Sequence, residues 1–561
     1  MAGNLQNRRQ LTARGFWLAV AVLAAVRCLL TSFQMAYTWV GGAPLDDELM
    51  FRAANAISAG QWLGDYDYLT LSKSMFFPVW LALLHALHLP YLVSGTVLWC
   101  AAALLAAFAF RPLWKGRGLT LVFFAVLAFS PSSWAAYTLR VYRDNIFPAL
   151  CLFCFAGFAG AALRLAIWGE GKPRIWPWLL AAGVGLACGY LNREDAGLFL
   201  LPFAAVASLV LVILAIRRRR WSALSPQAIP YAMLAAGVLL FCGLNQSHYG
   251  IFALSDFSSG AFADAMGAMM RVDTESTEPL LSVPADARQR LYEAVPELQP
   301  LEYWLEEDAQ LQNDFRDPQL GDYRAGSFYW AIRRAAQFEG IYDTAQKAEA
   351  YWSEVADKIN AACDNGTLPT RTGKRSSTTQ PIRASYVAPV LAESVRSLVH
   401  VLNFADCRPY ETLRSIGTEE DFAAWSGYLH CSFNGAAEAG KDTPYYSPLQ
   451  KLVFGGMELL RYPYAALCWV GLILSVVRQA AALPQVLRRR RADIVVPWLL
   501  LLGVLGMAAL RCAMIAFVEV SSFGIGTSTM YLSTVHPLLL LYILGNGALW
   551  LTQRRNRNAQ D

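Results

Sequence analysis

Residues 44–64 read PLDDELMFRAANAISAGQWLG, three acids followed by a short amphipathic stretch, placed just after the first long apolar segment of the chain. If the neighbouring apolar segments cross a membrane, Asp46, Asp47 and Glu48 stand at its edge, and their side orders everything downstream. A carboxylate there either caps a helix, where the dipole favours it by about 0.3–1 kcal/mol, or works as a base. Both readings stand on this stretch alone.

The composition decides the setting. With 56% hydrophobic and 16% charged residues in 561, the chain is not of the soluble globular class. Apolar runs near 16–36, 91–110, 119–137, 145–168, 175–191, 197–216, 229–247, 454–477, 494–513 and 531–550 predict ten helical spans. Basic residues fall between them with one bias: Arg8, Arg9 and Arg14; Arg111, Lys115 and Arg117; Lys172 and Arg174; Arg217 to Arg220; Arg488 to Arg491; and Arg554, Arg555 and Arg557. All of these lie on one side of a ten-span chain, which the positive-inside rule makes cytoplasmic, with both termini inside. The expected location is a plasma (inner) membrane, crossed many times. The net charge of +5 is accounted for by these anchors, so it is no nucleic-acid footprint.

The stretch 75–89 must not cross for this topology to hold. It is short, contains Pro78, His85 and His88 and ends at Pro90, which suits a re-entrant or interfacial helix. The first span lacks a small-residue cleavage site and reads as a retained anchor. Of the 11 cysteines, Cys363, Cys407 and Cys431 lie outside the spans, an odd number whose spacing suits no metal site and allows at most one disulfide, which the sequence leaves open.

Three parts follow: a membrane module over 1–247 with a first outer loop at 37–90, an extracytoplasmic insert over 248–448, and C-terminal spans over 449–561. The insert reads mostly helical, with Phe328, Ile332, Ala335 and Phe338 at helical spacing and a Thr/Ser/Arg-rich loop over 366–384. Asn245-Gln246-Ser247 and Asn365-Gly366-Thr367 match glycosylation tripeptides, a weak signal.

Polar residues beside spans are expensive and mark a path or a site. On the outer side they gather: Lys73 before the 75–89 stretch, Arg140, Arg143 and Asp144 after the third span, and Arg193, Glu194 and Asp195 after the fifth. Arg511 and Glu519 end the ninth span, and Tyr531 and His536 open the tenth. Bland roles exist for each: Lys73 as a headgroup anchor, the arginines as partners of their neighbouring acids, His536 as a structural hydrogen-bonder. Together they suit transfer of a sugar from a polyprenyl-phosphate carrier. That reaction needs a base for the acceptor hydroxyl and cations for the departing phosphate.

The runs DDELMFRAANAISAGQWLG (46–64) and SKSMFFPVWLAL (72–83) resemble the first outer loop of the GT-C membrane glycosyltransferases, which include protein O-mannosyltransferases and the lipid A aminoarabinose transferase. That loop carries an Asp-Glu pair opening a juxtamembrane helix, a Gly-x-Trp turn, and a Lys before a Pro-containing interfacial helix. Here these are Asp47-Glu48, Gly60-Gln61-Trp62, and Lys73 with Pro78. The resemblance covers roughly the first 220 residues, with an echo in Tyr531-Leu532…His536-Pro537. It departs where the usual Lys-Pro-Pro becomes Lys73-Ser-Met-Phe-Phe-Pro78, and in placing the large insert between the seventh and eighth spans. It implies an all-α polytopic bundle of about ten spans with juxtamembrane helices. It also implies an inverting transferase acting on an extracytoplasmic glycan, lipid or protein. The base would be Asp47, or Asp46 if the register slips by one, with Glu48 beside it. Asp144 would be a second acid. Lys73, Arg140, Arg143 and Arg193 would hold the donor phosphate, with Glu194, Asp195, Tyr531 and His536 as further site candidates.

Two other classes fit the gross pattern. An O-antigen ligase or polymerase would place its essential Arg and His in the large loop, whereas here the best cluster is in the first loop. A lipid-linked saccharide flippase or transporter would show repeats and midplane acids, which are absent from the sequence. A divalent cation (Mg or Mn) shared by Asp47, Glu48 and Asp144 with the phosphate is compatible with hard oxygen ligands, but no metal is obligatory. The expected partners are the lipid-linked donor, the acceptor and the bilayer, with no nucleic acid.

Overall fold

The computed structural model describes residues 11–41, 44–114, 116–167, 174–435, 442–524, 526 and 530–557, with side chains described as far as Thr552. Arg8, Arg9, Lys115 and Lys172 lie outside the described residues, as do the side chains of Arg554, Arg555 and Arg557. The chain is an all-α polytopic membrane protein; among the described residues the only named strands are the two-residue pair Arg316–Asp317 and Asp322–Tyr323.

Helices stand at all ten predicted positions, but not all as straight spans. Among the described residues eight are long and apolar enough to cross a bilayer. The third expected span is a pair, Arg117–Ala128 and Pro131–Leu139, bent by 54°. Pro131 explains the bend, since it supplies no N–H to continue the first helix. The fifth, Trp176–Asn192, has 17 residues, the lower limit for crossing. Phe76–Ala86 is a short apolar helix of 11 residues, in keeping with a segment that does not cross.

The helices Phe147–Ile167 and Trp176–Asn192 pack along most of their length because glycines on each, Gly157 and Gly185, meet the backbone of the other. A Cβ on Gly157 would lie 2.5 Å from the Trp178 carbonyl oxygen, and one on Gly160 would overlap the Trp178 ring. Small residues thus let the backbones meet. This tight hairpin sets the site: Asp144 lies in the short turn Arg143–Asn145 ahead of its first helix and Arg193 immediately follows its second. At the far end Arg218 donates to the Ala166 carbonyl, about 30 Å away along the helix. The carboxylates and the cluster Arg217 to Arg220 therefore occupy opposite ends of the bundle.

The insert splits by its packing. Residues between Ala261 and Leu368 form a core of their own around Phe262, Tyr342 and Trp352. Beyond it, Val401, Leu402, Phe404 and Cys407 join the core of the membrane helices, while Trp425, Tyr428 and Leu429 pack onto the loop that follows the first span. Cys363, Cys407 and Cys431 accordingly sit in or against three different clusters, and all 11 cysteines are free thiols. No disulfide joins any two of them for that reason. Asn245 is a buried helix residue that accepts from Trp62 Nε1 at 2.8 Å and donates to the Ala253 carbonyl at 2.7 Å. Its amide is occupied by the fold, not offered for modification.

Candidate functional site

The residue run Pro44–Glu48 forms a single wide π-turn leading into the helix Leu49–Ser58. Its N-cap is Glu48, which makes no side-chain capping bond and instead accepts from the Gly41 amide at 3.2 Å. Asp46 does not cap the helix. The wide turn sends Asp46 and Asp47 in different directions, and that divergence organises the site.

Asp47 is turned inward and has no exposed surface. Arg140 grips it with Nε at 2.7 Å and Nη2 at 2.6 Å, and the Trp39 amide donates to its other oxygen at 3.2 Å. Arg140 is itself pinned, because the strand-like segment leaving the first span forms a bridge between Tyr37 and Arg140. Burial raises the Asp47 carboxyl above the ordinary carboxylate range despite Arg140.

Asp46 keeps 33% of its side-chain surface open. It pairs with Lys73, accepts from the Tyr142 hydroxyl at 2.9 Å and lies 3.5 Å from Arg140 Nη2. Burial works to raise its carboxyl, but Lys73 and then Arg140 outweigh that and hold it well below the usual range. Lys73 also faces the Trp330 ring at 5.4 Å, so the insert helix Ala325–Phe338 roofs this pair.

The same division recurs on the hairpin ends. Asp144 is wholly buried, takes both 2.9 and 3.0 Å bonds from Arg193 Nη1 and accepts from Ser533 at 3.2 Å. Burial raises it above the usual range in spite of Arg193. Glu194 is 30% open, chelated by Arg143 Nη1 at 2.7 and 2.8 Å and fixed by the Ser74 amide at 2.5 Å. Against the desolvation that would raise it, Arg143 lowers its carboxyl. Asp195 is shared by Arg193 at 3.1 Å and Arg511 at 2.6 Å. Tyr142 joins the halves, receiving a 2.6 Å bond from Arg143 Nη2 while donating to Asp46. Tyr531 lies against Arg193 at 5.2 Å.

Five cations (Lys73, Arg140, Arg143, Arg193, Arg511) thus neutralise five carboxylates (Asp46, Asp47, Asp144, Glu194, Asp195) at one end of the bundle. Two buried guanidinium donors, Arg143 Nε and Arg511 Nη2, have no hydrogen-bond partner, the condition in which a buried donor costs most and an anion is best received.

Two expectations shift, and three groups join the site unannounced. His536 is not part of this network: it is buried against the Phe404 ring at 4.8 Å and Cys407 Sγ at 3.8 Å. Asp47, Glu48 and Asp144 do not converge on a common point, being taken by Arg140, Gly41 and Arg193, and no metal-holding group of three ligands exists among the described residues. Tyr142, Trp330 and the Ser74 amide belong to the site without having been singled out. Tyr142 had a signal in the alternation Arg140-Val-Tyr-Arg143; Trp330 had none, since only the tertiary fold carries it there.

No family model and no curated protein sequence matches the chain. Two solved structures resemble it loosely: ArnT from Cupriavidus metallidurans bound to undecaprenyl phosphate, with 12% identity, a TM-score of 0.29 and coverage of 95% of this chain and 78% of that one, and ArnT from the same organism in the apo state, with 12% identity, a TM-score of 0.27 and the same coverage. Likeness at this level carries no argument about chemistry, which must rest on the network itself.

Proposed function

We propose that the protein is an inverting GT-C-type glycosyltransferase. It takes a sugar from a polyprenyl-phosphate carrier at the extracytoplasmic face and passes it to a cell-envelope acceptor. The observation that carries this reading is the open, strongly acidic Asp46 held against Lys73 and beside Tyr142 and Arg143, at the end of the bundle away from the cluster Arg217 to Arg220.

In the proposed reaction the carrier phosphate draws Lys73 from Asp46 and Arg143 from Glu194, two cations that hold no sealed acid and pair each with one partly open acid. Arg140 and Arg193 stay locked on sealed acids and hold the frame. Asp46, released from Lys73, accepts the proton of the acceptor hydroxyl. The hydroxyl oxygen bonds to the anomeric carbon from the face opposite the phosphate, the carbon–phosphate oxygen bond breaks, and the carrier phosphate leaves with that electron pair. Its charge grows as the bond breaks, so cations placed there lower the barrier more than they strengthen the ground state. Asp47 is a positioning residue here, keeping Arg140 and the Asp46 turn in place.

Mass spectrometry of lipid-linked sugars and envelope glycans in cells lacking the protein tests the proposal. A polyprenyl-phosphate sugar should accumulate, and a glycan should lose one residue. Restoration by wild type but not by Asp46→Asn would support it; unchanged carrier pools would sink it.

A further inference from the structure

The first span carries a charge that the fold does not answer. Arg27 stands in the helix Ala13–Ser32 with no exposed surface, and among the described residues it pairs with no carboxylate. Its Nη1 donates to the Thr31 hydroxyl, its Nη2 donates to the Ser133 carbonyl at 2.8 Å, and the Trp134 ring lies 5.2 Å away. Nε is buried and has no partner. The sequence supplies no acid for it: no Asp or Glu precedes Asp46, and none occurs between Asp67 and Asp144. The helices Ala13–Ser32 and Tyr91–Phe110 and the bend at Pro131 are therefore built without one. A guanidinium keeps its proton inside proteins, and a fully buried arginine is rare unless paired.

Beside Arg27 lies a narrow hollow of about 20 Å³, lined by Thr31, Thr96, Ser132 and Asn145. Among the described residues the one other charged group on its wall is Asp144, which Arg193 and Ser533 already hold. We propose that this hollow binds a chloride ion on Arg27. The Thr31 and Thr96 hydroxyls are 2.9 Å apart, and those of Ser130 and Ser132 are 2.8 Å apart. With Thr31 donating to Thr96 and Ser130 donating to Ser132, the Thr96 and Ser132 hydrogens are left to join Arg27 Nε on the anion. The space admits one particle little larger than water, which rules out a carboxylate or a phosphate and leaves a monatomic anion. A water bridging Arg27 Nε to the unpartnered Asn145 Oδ1 fits the same space but leaves the charge uncompensated. The ion ties the first span to Tyr91–Phe110 and to the bend at Pro131. It stands independently of the glycosyltransferase reading.

Thermal midpoints of the purified full-length protein in sodium chloride and in sodium gluconate, at equal ionic strength, test this. An ion that binds the folded state alone raises the midpoint with its concentration. Wild type should gain about 2 °C or more from chloride over gluconate, and bromide should substitute for chloride. Arg27→Gln should lose that gain whatever its own midpoint. No gain in wild type, or an equal gain in Arg27→Gln, would overturn the proposal. Should Arg27→Gln fail to fold, crystals of wild type grown in bromide decide. An anomalous peak beside Arg27 Nε supports the ion; density there without anomalous signal means water and overturns it.

Discussion

Two kinds of ion pair share the candidate site. The pairs Asp47–Arg140 and Asp144–Arg193 use acids with no exposed surface, whereas Asp46–Lys73 and Glu194–Arg143 use acids that are 33% and 30% open. Sealed pairs cannot exchange partners without leaving a bare charge in a low-dielectric interior, which costs several kcal/mol. Open pairs can trade a carboxylate for a phosphate at little cost. The difference separates scaffold from chemistry within a cluster whose members look alike by residue type. Neighbours in sequence, Asp46 and Asp47 fall on opposite sides of it.

Exchanging the roles of those two aspartates is the hardest test. Asp46→Asn should lower turnover about 10²–10⁴-fold, the range of a general base, while the thermal midpoint of the purified protein barely moves. Asp47→Asn should do the reverse, taking from Arg140 its sealed partner and costing about 3–5 kcal/mol of stability. A folded, inactive Asp47→Asn beside an active Asp46→Asn would invert the comparison and return the base to Asp47.

Lys73→Gln comes next. The lysine is proposed to leave Asp46 for the donor phosphate, so its loss should raise the donor KM about tenfold or more, the worth of a hydrogen bond to a charged group. An unchanged donor KM would make Lys73 a lid on Asp46 and no phosphate ligand. Arg140→Lys, by contrast, should act through stability, because a lysine cannot reproduce the two-nitrogen grip on Asp47.

That contrast between twin aspartates shows where sequence reading reaches and where it stops. Polar residues flanking spans stand out against an apolar background, so Lys73, Arg140, Arg143, Asp144 and Arg193 to Asp195 were all visible before any fold was known. The long helices were visible for the same reason. The bend at Pro131 and the short Trp176–Asn192 helix were not, because a proline or a missing residue changes helix geometry without changing mean hydropathy. Which aspartate faces out was not legible either. It depends on the π-turn at Pro44–Glu48 and on the bridge that pins Arg140 beside Tyr37, and both are tertiary facts. His536 misled because a histidine near a membrane edge looks polar until its burial against Phe404 and Cys407 is seen.

Proton affinity gives a subtler test of the same division. In the free protein Lys73 and Arg140 hold Asp46 well below the usual range, so it stays ionised throughout the neutral and mildly acidic region. When a donor phosphate takes Lys73 away, the opposing desolvation is less well countered and the Asp46 carboxyl must rise. The acid limb of kcat, which reports the loaded enzyme, should therefore lie at higher pH than that of kcat/KM, which reports the free one. In Lys73→Gln the two limbs should draw together, since the lysine no longer separates the two states. Coincident limbs in wild type would mean that Lys73 never leaves Asp46.

The smallest expected effect has the opposite sign. Glu194→Gln keeps an acceptor for the Ser74 amide but removes the charge that holds Arg143. If Arg143 is an exchangeable phosphate ligand, freeing it should lower the donor KM by a few-fold, because a partly open pair is worth only about 0.2–1 kcal/mol. The sealed counterpart, Asp144→Asn, strips the same charge from Arg193 but leaves that guanidinium buried and short of an acid partner, so it should lose stability and gain no affinity. Donor titrations of the two variants side by side read the difference directly. Tighter donor binding in Glu194→Gln alone would place the boundary between scaffold and chemistry where the exposed carboxylates put it. Weaker binding in Glu194→Gln would mean that Glu194 positions Arg143 for the phosphate and does not compete with it, moving that pair into the scaffold and leaving Lys73–Asp46 as the single exchangeable contact.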